Sequence, residues 1–73
     1  MDCIALKRKI KASEFHETDQ YMIANGDNMG RWTINFGVHC LADTFDCKEF
    51  IKLKHKEHPE AYIENYKVEL CGG

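Results

Sequence analysis

The alternation of apolar and polar side chains is clearest from Arg31 to Val38, where Trp32, Ile34, Phe36 and Val38 fall on one side of an extended chain and Arg31, Thr33 and Asn35 on the other. A period of two over that length predicts a half-buried strand. Tyr21-Met22-Ile23-Ala24 is an apolar run just upstream, and the intervening NGDNMG is rich in residues that accept positive φ. Together they predict a central β-hairpin over about 20–38, with a loop longer than the tight two-residue form. Trp32 and Phe36 are assigned to the core, as the largest plugs available to a small interior.

After Val38 the period lengthens to that of a helix. Asp43, Thr44 and Asp46 are N-cap candidates, and Asp46 with Glu49 has the spacing of a capping box. Cys47, Phe50, Ile51 and His58 form the inner stripe of the predicted helix, over about 44–58, with Lys48, Glu49, Lys52 and Lys56 directed to water. Pro59 ends it, or opens a short second turn over 59–64. Tyr66, Val68 and Leu70 alternate and predict a C-terminal strand. Two segments are less decided. Residues 2–12 fit either a helix face (Cys3, Leu6, Ile10) or a strand side (Ile4, Leu6, Ile10), and SEFHETDQ reads as a polar connection anchored to the core by Phe15. The expected fold is a single α+β domain over 1–73: a small antiparallel sheet of three or four strands with one main helix packed on a face.

Composition narrows the functional classes. The 73 residues have 44% hydrophobic and 30% charged side chains, an ordinary globular mixture. So small a chain has room for one core, and partner binding or self-association is a common way for such domains to gain stability. Ten basic against twelve acidic residues give a net charge of −2, which argues against whole-surface attraction to phosphate. The first residues, MDCIALKRKIKAS, lack the long apolar run of a signal peptide, and no stretch has the roughly 18 apolar residues of a membrane span. A cytoplasmic location is expected, and with it free thiols at Cys3, Cys40, Cys47 and Cys71.

Cys40, Cys47, His55 and His58 bring four ligand-type side chains close together in sequence, spaced Cys-x6-Cys-x7-His-x2-His. A zinc site needs its ligands about 2.0–2.3 Å from one ion. A continuous helix would hold Cys47 and His55 about 12 Å apart along its axis, so the pair cannot share an ion. A reduced site, with His55 and His58 joined by Cys40, Cys71 or His16, has no support in the spacing, and no metal or other cofactor is expected. His39-Cys40 are neighbours that an extended chain points apart, and GDNMG lacks the lysine and hydroxyl of a phosphate loop. The expectation is a protein that is not an enzyme.

Three binding readings follow. The first is a small protein-binding or regulatory domain, inhibitor-like, that acts by contact with a larger protein partner through aromatic side chains on a sheet face or edge. Tyr21, Tyr62 and Tyr66 are its candidate residues. Acidic stand-alone domains that phages and mobile elements direct against host enzymes fit this class. The second is a nucleic-acid-binding module in which Lys7, Arg8, Lys9 and Lys11 lie beside the helix ridge of Lys48, Lys52 and Lys56. The third comes from the ending, Leu70-Cys71-Gly72-Gly73, which resembles the Gly-Gly terminus of ubiquitin-like modifiers and sulfur-carrier proteins. That resemblance, limited to the last two residues and the chain length, implies a C-terminal carboxylate activated by adenylation. It also implies a sheet with two hairpins around the helix, where this sequence offers one strand after it.

Overall fold

The computed structural model describes residues 2–67. The order of elements is β1 (Cys3–Ser13), β2 (His16–Met22), β3 (Trp32–Thr33), a 3-10 turn (Val38–Cys40), α1 (Phe45–Glu57) and β4 (Tyr62–Tyr66). The strands form one antiparallel sheet in the order β3-β2-β1-β4, with the helix against it, so the α+β class is as the sequence implies, and a C-terminal strand is present as β4, earlier in the chain than the alternation of Tyr66, Val68 and Leu70 placed it.

β1 settles the ambiguous first segment as a strand, because both of its sides find partners. Lys7 to Ser13 pair with β2, and Cys3 to Lys7 pair with β4. Beside its first residues, where β2 does not reach, Ile4 exchanges two backbone hydrogen bonds with Ala42, Ile4 N–H donating at 3.0 Å and Ala42 N–H at 2.6 Å. The longest hairpin is therefore β1–β2, and the one expected over about 20–38 forms as the short pair β2–β3. Only Tyr21 and Met22 pair with Thr33 and Trp32. The alternation of residues 31–38 does not become a strand because the chain turns out of the sheet after Thr33. The Asn35 N–H donates to Thr33 Oγ1 at 3.1 Å, and Val38–Cys40 wind into the 3-10 turn. The expected NGDNMG turn is present, with Gly26 and Gly30 at φ 84° and 95°. The conformation suits glycine because it has no Cβ to clash.

Strand alternation sends Ile4 and Leu6 to one face of the sheet, where Met22 and Ile63 join them under Ile51 of the helix. Cys47, Phe50 and Trp32 close the sides of this core. Thr44 is the N-cap, its Oγ1 accepting from the Cys47 N–H at 3.3 Å, which selects one of the three cap candidates. His58 caps the other end and sets its ring edge-on to Trp32 with centroids 5.4 Å apart, covering the core as its place in the stripe implies. After Pro59 there is a turn and then β4, so the expected short helix over 59–64 does not form; Tyr62 to Tyr66 are drawn into pairing with the first residues of β1.

Two further expectations change. Phe15 lies in the turn between β1 and β2 and is 93% exposed, so it anchors nothing in the core. Cys40 and Cys47 are free thiols, whereas Cys3, buried at the start of β1, is disulfide-bonded. The expectation of four free thiols rested on an assumed compartment and not on any local feature of Cys3. Val68, Leu70, Cys71 and the Gly72-Gly73 end, on which the carrier-protein resemblance rests, lie outside the described residues. Among the described residues no helix is long and apolar enough to cross a membrane.

Candidate functional site

The odd-numbered residues of β1 face away from the helix. Lys7 stands at the middle of that face, paired across the sheet with Tyr21 of β2 on one side and Tyr62 of β4 on the other. Direct cross-strand partners project to the same side, so the register alone makes a Tyr-Lys-Tyr row. The Cys3↔Tyr66 pair brings Tyr66 onto the same face at the far end of β4. Phe36, carried over the sheet by the segment between β3 and the 3-10 turn, lies between Tyr21 and Tyr66, with centroid distances of 4.8 and 5.0 Å. These separations suit tilted aromatic contacts.

Lys7 is held from several directions. Its ammonium lies 5.8 Å from the Tyr21 ring centre and 5.5 Å from that of Tyr62, within cation–π range. It forms its close ion pair with Glu64 and a looser one with Asp19 at 3.8 Å. The Tyr66 hydroxyl donates to the same Glu64 carboxylate at 3.0 Å. The hydrogen bond to Glu64 raises the Lys7 pKa, and the Lys7 ammonium, followed by the Tyr66 hydroxyl, lowers that of Glu64. Burial, then the Glu64 hydrogen bond, push the Tyr66 phenol up to about 12. Asp19 contributes less, since its Oδ1 is buried without a hydrogen bond and its nearest cation, Lys9, is 3.6 Å away. The result is a fixed charge between the rings of Tyr21 and Tyr62, with Phe36 and Tyr66 beside them, and two of the four rings remain open: Phe36 is 40% and Tyr62 39% exposed.

The structure thus brings together Tyr21, Tyr62 and Tyr66 and adds Phe36, which the sequence reading placed in the core. Trp32 belongs to the opposite face, packed against the core with the Arg8 guanidinium 4.1 Å from its ring centre. Lys48, Lys52 and Lys56 belong to the helical layer, across the sheet from the tyrosines. The basic N-terminal cluster is divided by the alternation of β1. Lys7 and Lys9 meet acids on the aromatic face, while Arg8 turns to the helix side and donates to Gln20 Oε1 at 2.9 Å. The cluster and the helix ridge do not form one continuous basic surface.

The remaining candidate chemistry is dispersed. The helix is continuous from Phe45 to Glu57, which keeps Cys47 and His55 about 12 Å apart along its axis. Among the described residues no three His, Cys, Asp or Glu side chains converge in a group able to hold a metal ion. His39 Nδ1 meets Asn25 Oδ1 at 3.1 Å while the Cys40 thiol donates to the Asn35 carbonyl at 3.7 Å, so these neighbours engage different partners. Burial pushes the Cys40 thiol pKa up, away from the reactive thiolate. A shallow pocket of about 230 Å³ lies between His39 and the loop of Asn25, Gly26, Asp27 and Asn28, and the His39–Asn25 contact already occupies polar groups of its wall.

No family model, no curated protein and no solved structure matches this chain.

Proposed function

We propose that this chain is a small protein-binding, inhibitor-like regulatory domain that acts by contact with a larger protein partner, and that its contact surface is the aromatic face of Tyr21, Phe36, Tyr62 and Tyr66 around Lys7. The observation that carries the reading is the gathering of four rings on the sheet face that the helix leaves uncovered. On that face Cys3 and Ala5 are buried with Leu41 and Tyr66 in a second small cluster, while the rings of Phe36 and Tyr62 stay open to water or to a partner. Aromatic side chains dominate interface energetics. Holding them in place beforehand lowers the ordering cost of binding, and the Lys7–Glu64–Tyr66 network does this here. The net charge of −2 favours a neutral or basic partner surface.

The test is affinity capture from the native cell with the wild-type chain and with Phe36→Ala and Tyr62→Ala. Both side chains are partly exposed, so the folded chain should survive their loss. The reading expects one protein recovered with wild type and depleted with both variants. Equal recovery with the variants, or recovery of nucleic acid in place of protein, would overturn it.

A further inference from the structure

The β1–β2 hairpin continues beyond the body of the sheet. β4 stops pairing with β1 at Lys7, and β3 reaches only Tyr21 and Met22 of β2, so among the described residues the two strands pair only with each other from Arg8 to Gln20. From Lys11 to Glu17 every residue is exposed. At the end of this arm stands Phe15, 93% exposed.

Neither the turn nor the core accounts for a phenyl ring there. Two-residue hairpin loops favour Asn and Gly because their usual backbone needs positive φ. Here Glu14-Phe15 form the loop, and among the described residues no side-chain-bearing residue has positive φ. A register shift between Lys11 and Ser13 accommodates the turn instead. The ring is therefore a large apolar group presented on a short, cross-paired support, flanked by Glu14, His16 and Glu17, with Lys11 opposite Glu17, so the tip carries one more acid than base.

The geometry points to an anchoring arm: Phe15 enters an apolar pocket on a protein partner whose rim is basic and meets Glu14 and Glu17. The charges of the arm select this occupant over two others. Two copies pairing symmetrically through the open edge of β2 would set Glu17 and Asp19 against the same residues, and through the open edge of β1 Lys9 and Lys11 against theirs; joining the β1 edge of one copy to the β2 edge of another would match these charges but gives Phe15, in the turn beyond the paired strands, no pocket to enter. Glu14 and Glu17 also oppose entry of the tip into an anionic membrane surface.

This inference rests on the proposed contact function but uses a different surface. The full chain is expressed in the native cell with the photo-crosslinking amino acid p-benzoylphenylalanine at position 15 or, as a control, at position 53. The expected result is a protein adduct from position 15 that is absent from position 53. Affinity of that purified protein for the chain should fall about 30-fold with Phe15→Ala, the loss of a typical hot-spot aromatic, and also with Glu14→Lys. The thermal midpoint should stay unchanged, since Phe15 is 93% exposed. No adduct, an adduct only with a second copy, unchanged affinity of Phe15→Ala, or Phe15-dependent sedimentation with phosphatidylcholine/phosphatidylserine vesicles would overturn the arm. If Tyr62→Ala and Phe36→Ala abolish binding while Phe15→Ala does not, the arm fails and the aromatic face stands.

Discussion

Replacing Ile51 by alanine tests how the two layers are joined. Ile51 is fully buried in the cluster that includes Ile4, Leu6 and Met22, and it is the buried residue of the helix. The substitution removes three carbons worth about 0.8 kcal/mol each and leaves a cavity, so a loss of about 3 kcal/mol is expected, within the range of such truncations. A domain of this length has roughly 4–11 kcal/mol of total stability. The loss is thus a large fraction, and the melting temperature should fall by about 12–24 °C. Leu53, two positions on, is 59% exposed, and Leu53→Ala should change stability by less than about 0.5 kcal/mol. Urea titration and thermal melting followed by circular dichroism measure both. A cost below about 1 kcal/mol for Ile51→Ala, or equal costs for the two variants, would refute this account of how the helix packs.

The alkaline limb of stability should reflect the Lys7–Glu64–Tyr66 network. Both Lys7 and Tyr66 hold their protons to higher pH in the folded chain than in the unfolded one, so their contribution is complete below about pH 10 and declines above it. A tyrosinate absorbance step near pH 12 should disappear in Tyr66→Phe; a missing step at about 10 instead would show the phenol to be free. Glu64 acts at the other end. Its lowered pKa gives a contribution that is present above the usual value of about 4.3 and lost as pH falls through the folded value, and Glu64→Gln should flatten that acid limb in denaturant titrations. Thr44→Ala should cost about 1 kcal/mol through the lost cap, and an unchanged midpoint would contradict the hydrogen bond to the Cys47 N–H. Cys40, buried and with a raised thiol pKa, should resist iodoacetamide at neutral pH until the chain unfolds; rapid modification of the folded chain would contradict its burial.

The helix was legible because Cys47, Phe50, Ile51 and His58 repeat at its period and Thr44 precedes them. β2 was not, because HETDQ has no apolar alternation to mark it. Its pairing depends instead on the opposite strand: Lys9 faces Asp19 and Lys11 faces Glu17. Alternating cations in KRKIK and acids in ETDQ are the signal that could have found it. The run from Trp32 to Val38 misleads for the converse reason. Its alternation is regular, but only Trp32 and Thr33 have a neighbouring strand to bond, and Phe36 crosses to the other face. Tyr21, Tyr62 and Tyr66 stand out in the sequence as contact candidates, whereas their gathering around Lys7 depends on the register of three strands.

The central claim is that the aromatic face, and not the helix ridge, makes the contact. Calorimetric titration of the partner captured from the native cell tests it directly. The double variant Phe36→Ala/Tyr62→Ala should bind at least about 30-fold more weakly than wild type. The triple variant Lys48→Ala/Lys52→Ala/Lys56→Ala should bind within a few-fold of wild type. The reverse order, with binding lost on removing the lysines and kept on removing the rings, would contradict the account.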